Sequence, residues 1–277
     1  MIYLGKILPN SLLVVSLLLA SFANSAAPSH EKKVAYFGTK CDKSASGSTL
    51  VLLDTTDSLR PEQVQFVLDN FIADFKWSTE GESYTVVALG NKPVALMPVT
   101  SFCTPKPEHK IDTVLDPIAK IKAENIWFKE AAAETVKKMA SENTGNSDQT
   151  LLVEAVTEVY RNARYNFKDG ARRKLILITD FYQHSKIISF FRMCKRKDIL
   201  HSRPLTCPTL ADAVKDNSRF SNYLVKAKPA LSSADVVVAY YLNVDGRVDR
   251  SAETWWIDYF EHAGLPQGSI TIIPELQ

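Results

Sequence analysis

The stretch "STLVLLDTTDSLRPEQVQFVLDN", residues 48–70, decides the fold of this chain. It opens with an unbroken apolar run of strand length, which is typical of a strand buried on both faces. Pro61 is a favourable first residue for a helix, and Val64, Val67 and Leu68 then recur at helical spacing. The stretch therefore predicts a strand, a polar turn and an amphipathic helix, which together form a βα unit.

The rest of the chain repeats this alternation of strands and helices. Further strand patterns occur at residues 83–90, 173–180, 234–242 and 269–274. Helical patterns occur at residues 113–141, broken or bent near Pro117, and at residues 150–163, 210–227 and 253–264. A tight "NKP" connection joins residues 83–90 to "VALMPVTSF", which predicts a hairpin at the edge of the sheet. We therefore expect an α/β fold, a doubly wound, mostly parallel sheet with helices on both faces and one antiparallel edge strand.

The first residues have the pattern of an export signal. Lys6 supplies a positive charge, residues 12–23 are apolar, and the small residues that follow predict cleavage after Ser25. An uncleaved N-terminal anchor is the alternative, and it would bring the protein into contact with the membrane. Residues 26–47 read as an N-terminal arm with a short strand possible at "VAYFG", and residues 48–277 as one α/β domain. The sequence thus predicts a location in the periplasm or cell envelope.

Composition narrows the class of protein. The chain has 277 residues, 45% of them hydrophobic, which is enough for a sizeable core and excludes a disordered protein. Its net charge of +2 is too small to indicate a nucleic-acid partner. We therefore expect a folded domain that does not bind nucleic acid.

Four cysteines lie in the part of the chain that would be exported: Cys41, Cys103, Cys194 and Cys207. An even number in an oxidising compartment predicts two disulfides, and three pairings are open. A Cys194–Cys207 bond would close a short loop and stabilise the fold by about 3 kcal/mol, leaving Cys41 for Cys103. The spacing does not favour zinc, because the chain has no CxxC or HxxxH motif.

Oxygen-bearing side chains cluster where two of the predicted strands end. Asp54, Thr56 and Ser58 alternate along one turn, Asp180 follows a second strand, and Thr150 opens a helix close to the same edge. Carboxylate and hydroxyl oxygens are hard ligands that suit Mg²⁺ best, with Mn²⁺ or Ca²⁺ as alternatives. These five donors predict a divalent cation site with one open coordination position.

These residues resemble the metal-ion-dependent adhesion site of von Willebrand factor A domains. "DTTDS" matches the D-x-S/T-x-S signature of that family, and Thr150 and Asp180 match the second and third segments of its site in order. The chain also resembles a group of exported bacterial proteins with a "DTTD" start, a Cys-x-Pro loop and a "WW-x-x-YF" helix. The resemblance implies a protein-recognition module in which an Asp or Glu of a protein partner fills the open position of the ion.

Other interpretations of the same residues remain open. Asp54 and Asp180 are also suited to ending strands and capping turns, and Thr150 to capping a helix. A structural envelope component would have the same fold with an unused metal site, and would use the 113–141 helical region or a disulfide loop for contacts. The basic segment 192–203 is either a solvated loop or a contact for anionic lipid or an acidic partner.

Catalysis is the least favoured interpretation. A phosphotransferase of the haloacid dehalogenase type would need a second acid where Thr56 stands, and a serine hydrolase would need a G-x-S-x-G elbow that the chain lacks. A metal-dependent hydrolase is a weaker alternative to recognition. We therefore expect a protein that is not an enzyme.

Overall fold

The computed structural model describes the chain in thirteen parts. These are residues 28–41, 47–74, 79–90, 92–112, 114–142, 149–165, 167, 172–196, 205–227, 229, 231–232, 235–242 and 250–275. The signal segment predicted at residues 1–25 lies outside the described residues, so its cleavage after Ser25 stays a prediction.

Six strands form the main sheet. They are β1 (Gly47–Asp54), β2 (Ser83–Leu89), β3 (Val99–Cys103), β4 (Arg172–Thr179), β7 (Val236–Tyr241) and β8 (Ile270–Pro274). Their order is β3-β2-β1-β4-β7-β8, with β3 antiparallel to β2 and every other pair parallel. A separate two-stranded ribbon joins β5 (Lys195–Arg196) to β6 (Leu205–Thr206). The predicted mostly parallel sheet with one antiparallel edge strand is confirmed.

Helices surround the sheet. They are α1 (His30–Gly38), α2 (Pro61–Asp74), α3 (Ile118–Glu142), α4 (Leu152–Arg161), α5 (Phe190–Met193), α6 (Leu210–Asp216), α7 (Ser218–Ala227) and α8 (Arg250–His262). Short 3₁₀ turns occupy Val94–Leu96, Glu108–Lys110 and Ala163–Tyr165. Gly264, with φ +112°, follows α8 and ends it.

Two hydrophobic cores lie on opposite faces of the sheet, because side chains alternate along each strand. Leu50 and Leu52 of β1 belong to the core that packs under α4, α7 and α8. Val51 and Leu53 belong to the core formed with α1, α2 and α3. This double burial explains the unbroken apolar run of β1, and it places helices on both faces as predicted.

Three local expectations are corrected. The "VAYFG" segment is the end of helix α1 and not a strand, because Phe37 is fully buried against α3 and Lys33 pairs with Glu130. The helical region predicted from residue 113 becomes helix α3 only at Ile118, so the break predicted near Pro117 is where α3 begins. The predicted 210–227 helix is two helices, because Asn217 lies between α6 and α7 and its side chain accepts a hydrogen bond from Phe220 N.

Both disulfides form, as Cys41–Cys103 and Cys194–Cys207. The first joins the chain after α1 to the end of β3, and the second closes the loop between α5 and α6. Disulfides persist in oxidising surroundings, so the pairing suggests an extracellular or envelope location. None of the helices in the described part of the chain is both long enough and apolar enough to cross a bilayer.

Candidate functional site

The candidate site lies where the order of the strands reverses. Strand β1 pairs with β2 on one side and with β4 on the other, and Leu53 of β1 lies opposite Ile178 of β4. In doubly wound sheets, ligands bind beyond the carboxyl ends of the strands at such a switch point. Asp54 ends β1 and Asp180 follows β4. The sequence placed these two carboxyl groups at the same edge, and the strand order makes them neighbours.

The carboxyl group of Asp54 is buried and oriented by three donors. Its Oδ1 accepts hydrogen bonds from the backbone N of Thr56 at 3.1 Å and from the hydroxyl of Thr56 at 2.7 Å. Its Oδ2 accepts a 2.9 Å bond from the hydroxyl of Thr179. The backbone N and the hydroxyl of Thr55 bond to Leu89 O at the end of β2, which anchors the turn. The turn therefore holds the Asp54 carboxylate in one orientation.

Asp180 lies on an unusual stretch of backbone. The residue is half-buried, and its Oδ1 accepts a 2.9 Å bond from Tyr182 N. The next residue, Phe181, has φ +64°, a left-handed conformation that a bulky side chain rarely adopts. Two bonds support it: Thr179 Oγ1 accepts from Phe181 N at 3.0 Å, and Trp256 Nε1 donates to Phe181 O at 3.0 Å. Helix α8 thus helps to fix the backbone that carries Asp180.

Thr150 reaches the site through the backbone of a neighbouring segment. Two 2.9 Å bonds join the backbone of Thr150 to that of His184, and the Thr150 hydroxyl lies 3.3 Å from the hydroxyl of Thr56. The side chain of Gln183, fully buried, accepts from Val153 N at 2.8 Å and donates to Glu154 at 3.0 Å. Gln183 therefore caps the N-terminus of α4 and ties the Thr150 segment to the one that follows Asp180.

A cavity of about 80 Å³ opens at this edge. Its lining includes four of the five predicted ligands, Asp54, Thr56, Ser58 and Asp180. Ser58 is exposed, and within the described residues its side chain has no hydrogen bond to the other predicted ligands. Thr150 contacts Thr56 but is not part of the lining. The structure thus brings Asp54, Thr56, Thr150 and Asp180 close together, with Ser58 at the rim.

The two carboxyl groups influence each other strongly. Burial, together with the negative charge of Asp54, raises the pKa of Asp180 to about 8. Burial also raises the pKa of Asp54, although the bonds from Thr56 and Thr179 oppose that shift. Within the described residues that line the cavity, Arg60 is the one basic side chain, and it pairs with Glu275 at 3.2 Å. Two ionised carboxylates here would need a cation between them, and without one a shared proton would leave only one of the two ionised.

The chemistry of the donors suits a hard cation. In the described ranges no three His, Cys, Asp or Glu side chains come together as a metal cluster. The oxygen donors that line the cavity are the carboxyl groups of Asp54, Asp180 and the exposed Asp57, together with several hydroxyl groups. Sequence reasoning missed Thr179 and Gln183, which orient Asp54 and the Thr150 segment. A threonine that ends an otherwise aliphatic strand, directly before Asp180, was the available signal for the first. Gln183 carried no such signal.

The sequence matches no protein-family model and no curated protein. Solved structures with a partly similar fold include proximal thread matrix protein 1 of the mussel byssus, at 14% identity and a TM-score of 0.39. An aerotolerance-related membrane protein from Bacteroides fragilis has 12% identity and a TM-score of 0.37, and a pilus adhesin from Streptococcus pneumoniae has 11% and 0.31.

The likeness covers most of this chain but differing shares of the other proteins. The match to the mussel protein covers 84% of this chain and 44% of that protein. The match to the Bacteroides protein covers 83% of this chain and 92% of that protein. The match to the adhesin covers 84% of this chain and 43% of that protein. This chain therefore spans less than half the length of two of the three. The likeness is one of coarse architecture at low identity.

Proposed function

We propose that this edge of the sheet binds a divalent cation, Mg²⁺ in first place with Mn²⁺ and Ca²⁺ as alternatives, and that the protein uses the ion to bind a carboxylate of a partner protein in the periplasm or cell envelope. One observation carries the proposal. Asp54 and Asp180 follow neighbouring strands at the switch point and line one cavity, with the hydroxyl groups of Thr56 and Thr179 directed at Asp54.

Charge supports a cation at this position. Burying an ionised carboxylate without compensation is costly, and two of them in one cavity also repel each other. The basic side chain of the lining, Arg60, already pairs with Glu275. A divalent ion held by Asp54, Thr56, Ser58, Thr150 and Asp180 would balance both charges with oxygen ligands of the hard type that Mg²⁺ prefers. The bound ion would supply a positive charge with an open coordination position.

The size of the cavity favours recognition over catalysis. At about 80 Å³ it is much smaller than the roughly 300–1,000 Å³ typical of small-molecule sites. A cation and one carboxylate from a partner need little enclosed space. The von Willebrand factor A resemblance implies the same mode of binding, and catalysis is not part of the proposal.

A structural envelope component with an unused metal site is the second candidate. The raised pKa of Asp180, about 8, favours this candidate. A protonated Asp180 would be neutral at pH 7, so it would not repel the carboxylate of Asp54 and no ion would be needed. The fold would then be stable without metal, and chelator would not change partner binding. A metal-dependent hydrolase is the weaker alternative.

Calorimetric titration with Mg²⁺, and with Mn²⁺ followed by its electron paramagnetic resonance signal, tests the ion. We expect one ion per chain, lost in Asp180→Ala and retained in Asp69→Ala, which removes an exposed carboxylate of α2. Circular dichroism of both variants checks that they are folded. Equal binding by the wild-type protein and a folded Asp180→Ala variant would refute the proposed ligand set.

Capture from an envelope extract tests recognition. The wild-type protein should retain a partner in Mg²⁺ and release it in chelator, and Asp180→Ala should fail to retain it in either. If the wild-type protein in Mg²⁺, the wild-type protein in chelator and a folded Asp180→Ala variant all recovered the same amount of partner, the structural component would be favoured. A phosphatase and esterase screen of the same sample tests the hydrolase alternative.

A further inference from the structure

The segment that follows Asp180 carries three aromatic side chains on the surface next to the candidate site. The ring of Phe191 lies 5.8 Å from the ring of Tyr182 and 5.2 Å from the ring of His184, measured between centroids. We call Tyr182, His184 and Phe191 the aromatic ridge. The ridge is formed within one short stretch of chain, the segment between β4 and the end of α5.

Hydrogen bonds join the aromatic ridge to the predicted ligands. Tyr182 N donates to Asp180 Oδ1 at 2.9 Å, and two backbone bonds of 2.9 Å connect His184 to Thr150. The ring of His184 is itself fixed, because its Nδ1 lies 2.6 Å from Ser189 Oγ. Hydrogen bonds therefore fix the position of the aromatic ridge relative to the candidate site.

Phe191 is the exposed member of this surface. It is 60% exposed, whereas the preceding residue, Phe190, is fully buried against Trp255. The core thus uses one of the two consecutive phenylalanines and leaves the other in solvent. Aromatic side chains are enriched at the energetic centres of protein interfaces, where they lose their contact with water. An exposed ring supported by two others provides a preformed apolar contact beside the ion position.

Two basic residues belong to the same stretch of chain as the aromatic ridge. Lys186 and Arg192, which follows Phe191 in the chain, are exposed and line a cleft of about 530 Å³. Within the described residues, neither forms an ion pair with an acidic side chain. The same cleft is lined by Asp212 and Asp216 of α6, and Asp212 accepts a hydrogen bond from Thr209. The lining therefore combines basic side chains from the segment that carries the aromatic ridge with acidic side chains from α6.

We infer that the partner presents an acidic residue together with an apolar one: its Asp or Glu binds the ion, and an aromatic or large aliphatic side chain within about three residues packs on Phe191. This inference rests on the proposed function and specifies the partner of the same site. Lys186 and Arg192 attract the acidic segment and increase its rate of association. The partner is thus a polypeptide segment, and the aromatic ridge recognises the apolar residue close to its Asp or Glu.

Immobilised synthetic peptides test this inference. Each blocked Gly/Ser peptide carries one Asp, with Phe placed one, two or three residues to either side of it. Matched peptides replace Phe with Ser, or Asp with Asn. In Mg²⁺ we expect the wild-type protein to bind at least one Asp/Phe peptide about tenfold more tightly than its Asp/Ser counterpart, and to release it in chelator. The Asn peptide should not bind.

Phe191→Ser tests the residue that makes the contact, and Leu115→Ser is its control. Leu115 is 81% exposed and lies after β3, at the opposite edge of the sheet. We expect Phe191→Ser to bind Mg²⁺ as the wild type does and to lose the preference for Phe, while Leu115→Ser retains both properties. Replacing Lys186 and Arg192 with Gln should slow association and weaken its dependence on salt.

The outcomes separate the two proposals. If the wild-type protein binds no divalent ion, the proposed function fails and this inference fails with it. If the ion binds but Asp/Phe and Asp/Ser peptides bind equally, or no peptide binds, or Phe191→Ser behaves as the wild type, the aromatic ridge has no part in recognition. The proposed metal site then still stands on its own titration.

Discussion

The hydroxyl group of Thr179, the last residue of β4, donates a 2.9 Å hydrogen bond to Asp54 Oδ2 at the end of β1. The same hydroxyl oxygen accepts a 3.0 Å bond from Phe181 N. Thr179 is fully buried, so neither of its partners can exchange this bond for one with water. The side chain of Thr179 therefore orients the carboxylate of Asp54, at the end of β1. It also orients the backbone around Asp180, which follows β4.

Thr179→Val tests this link, because valine keeps the shape of threonine and removes both hydrogen bonds. We expect the free energy of unfolding to fall by about 1–3 kcal/mol, since a buried acceptor and a buried N–H lose their partner. Affinity for Mg²⁺ should fall as well, because Asp54 loses one of the groups that orient it. Chemical denaturation and calorimetric titration measure the two effects.

Thr135→Val is the matched control for that substitution. Thr135 is also buried, but its hydroxyl donates to Ala131 O, within helix α3 and away from the site. We expect a smaller loss of stability and an unchanged affinity for Mg²⁺. If both variants lost Mg²⁺ affinity equally, the role assigned to Thr179 would be wrong.

The raised pKa of Asp180 predicts how stability depends on pH. Its pKa is about 8 in the folded protein and about 3.9 in the unfolded chain. Between these values the unfolded chain has released a proton that the folded protein still holds, so stability falls as pH rises from about 4 to about 8. Without metal, we therefore expect a lower melting temperature at pH 8 than at pH 5.

Divalent ions should reverse this loss of stability. A bound cation favours the ionised carboxylates, so Mg²⁺ should raise the melting temperature more at pH 8 than at pH 5. Asp180→Asn removes the titrating group and should weaken both the pH dependence and the effect of Mg²⁺. Thermal unfolding at the two pH values, with Mg²⁺ or chelator, provides the measurement. An equal effect of Mg²⁺ on the wild-type protein and on Asp180→Asn would contradict the assignment.

The sequence predicted the strand ends of the site but not how they are connected. Unbroken apolar runs identify β1 and β4 because both faces of each strand are covered. Their pairing does not follow from the sequence, since strand order depends on how the chain crosses the sheet and not on any local pattern. The position of Thr179 directly before Asp180 is the signal it offers, but a β-branched residue is common in a strand and does not by itself indicate a hydrogen bond to a carboxylate of the neighbouring strand. Its role emerges only when β4 lies beside β1.

Two features depend on contacts between distant parts of the chain. Helix α1 has no side-chain cap at Ser29, and it is held by Phe37 in the core, by the Lys33–Glu130 ion pair and by the nearby disulfide. The left-handed backbone of Phe181 also cannot be predicted from the local sequence, because Trp256, which supports it with a hydrogen bond, lies 75 residues away. Local propensity cannot predict a conformation that tertiary contacts impose.

The two disulfides should differ in their effect on stability. Their cysteines are 62 residues apart for Cys41–Cys103 and 13 apart for Cys194–Cys207. Loop-closure entropy predicts a stabilisation of about 4 kcal/mol for the longer loop and about 3 kcal/mol for the shorter. Paired Cys→Ser variants, compared by chemical denaturation, should therefore lose more stability at Cys41 and Cys103. The reverse order would mean that the local fold around the shorter loop, and not chain entropy, determines the effect.

Adjacent tryptophans in α8 provide a test of the link between this helix and the site. Trp255 and Trp256 are both almost fully buried, but Trp256 Nε1 donates to Phe181 O at 3.0 Å, whereas Trp255 Nε1 has no hydrogen-bond partner in the described part of the chain. Substitution by Phe removes similar volume from each position. We expect Trp256→Phe to cost about 1–3 kcal/mol more than Trp255→Phe, because it leaves a buried carbonyl without its donor.

The same pair should differ in metal binding. Without the indole bond, the left-handed backbone at Phe181 loses a support, and Asp180 loses part of its fixed orientation. We therefore expect Trp256→Phe to bind Mg²⁺ more weakly than the wild-type protein and Trp255→Phe to bind it with unchanged affinity, both measured by calorimetry. A Trp256→Phe variant that is less stable yet binds Mg²⁺ normally would show that α8 supports the fold without positioning Asp180.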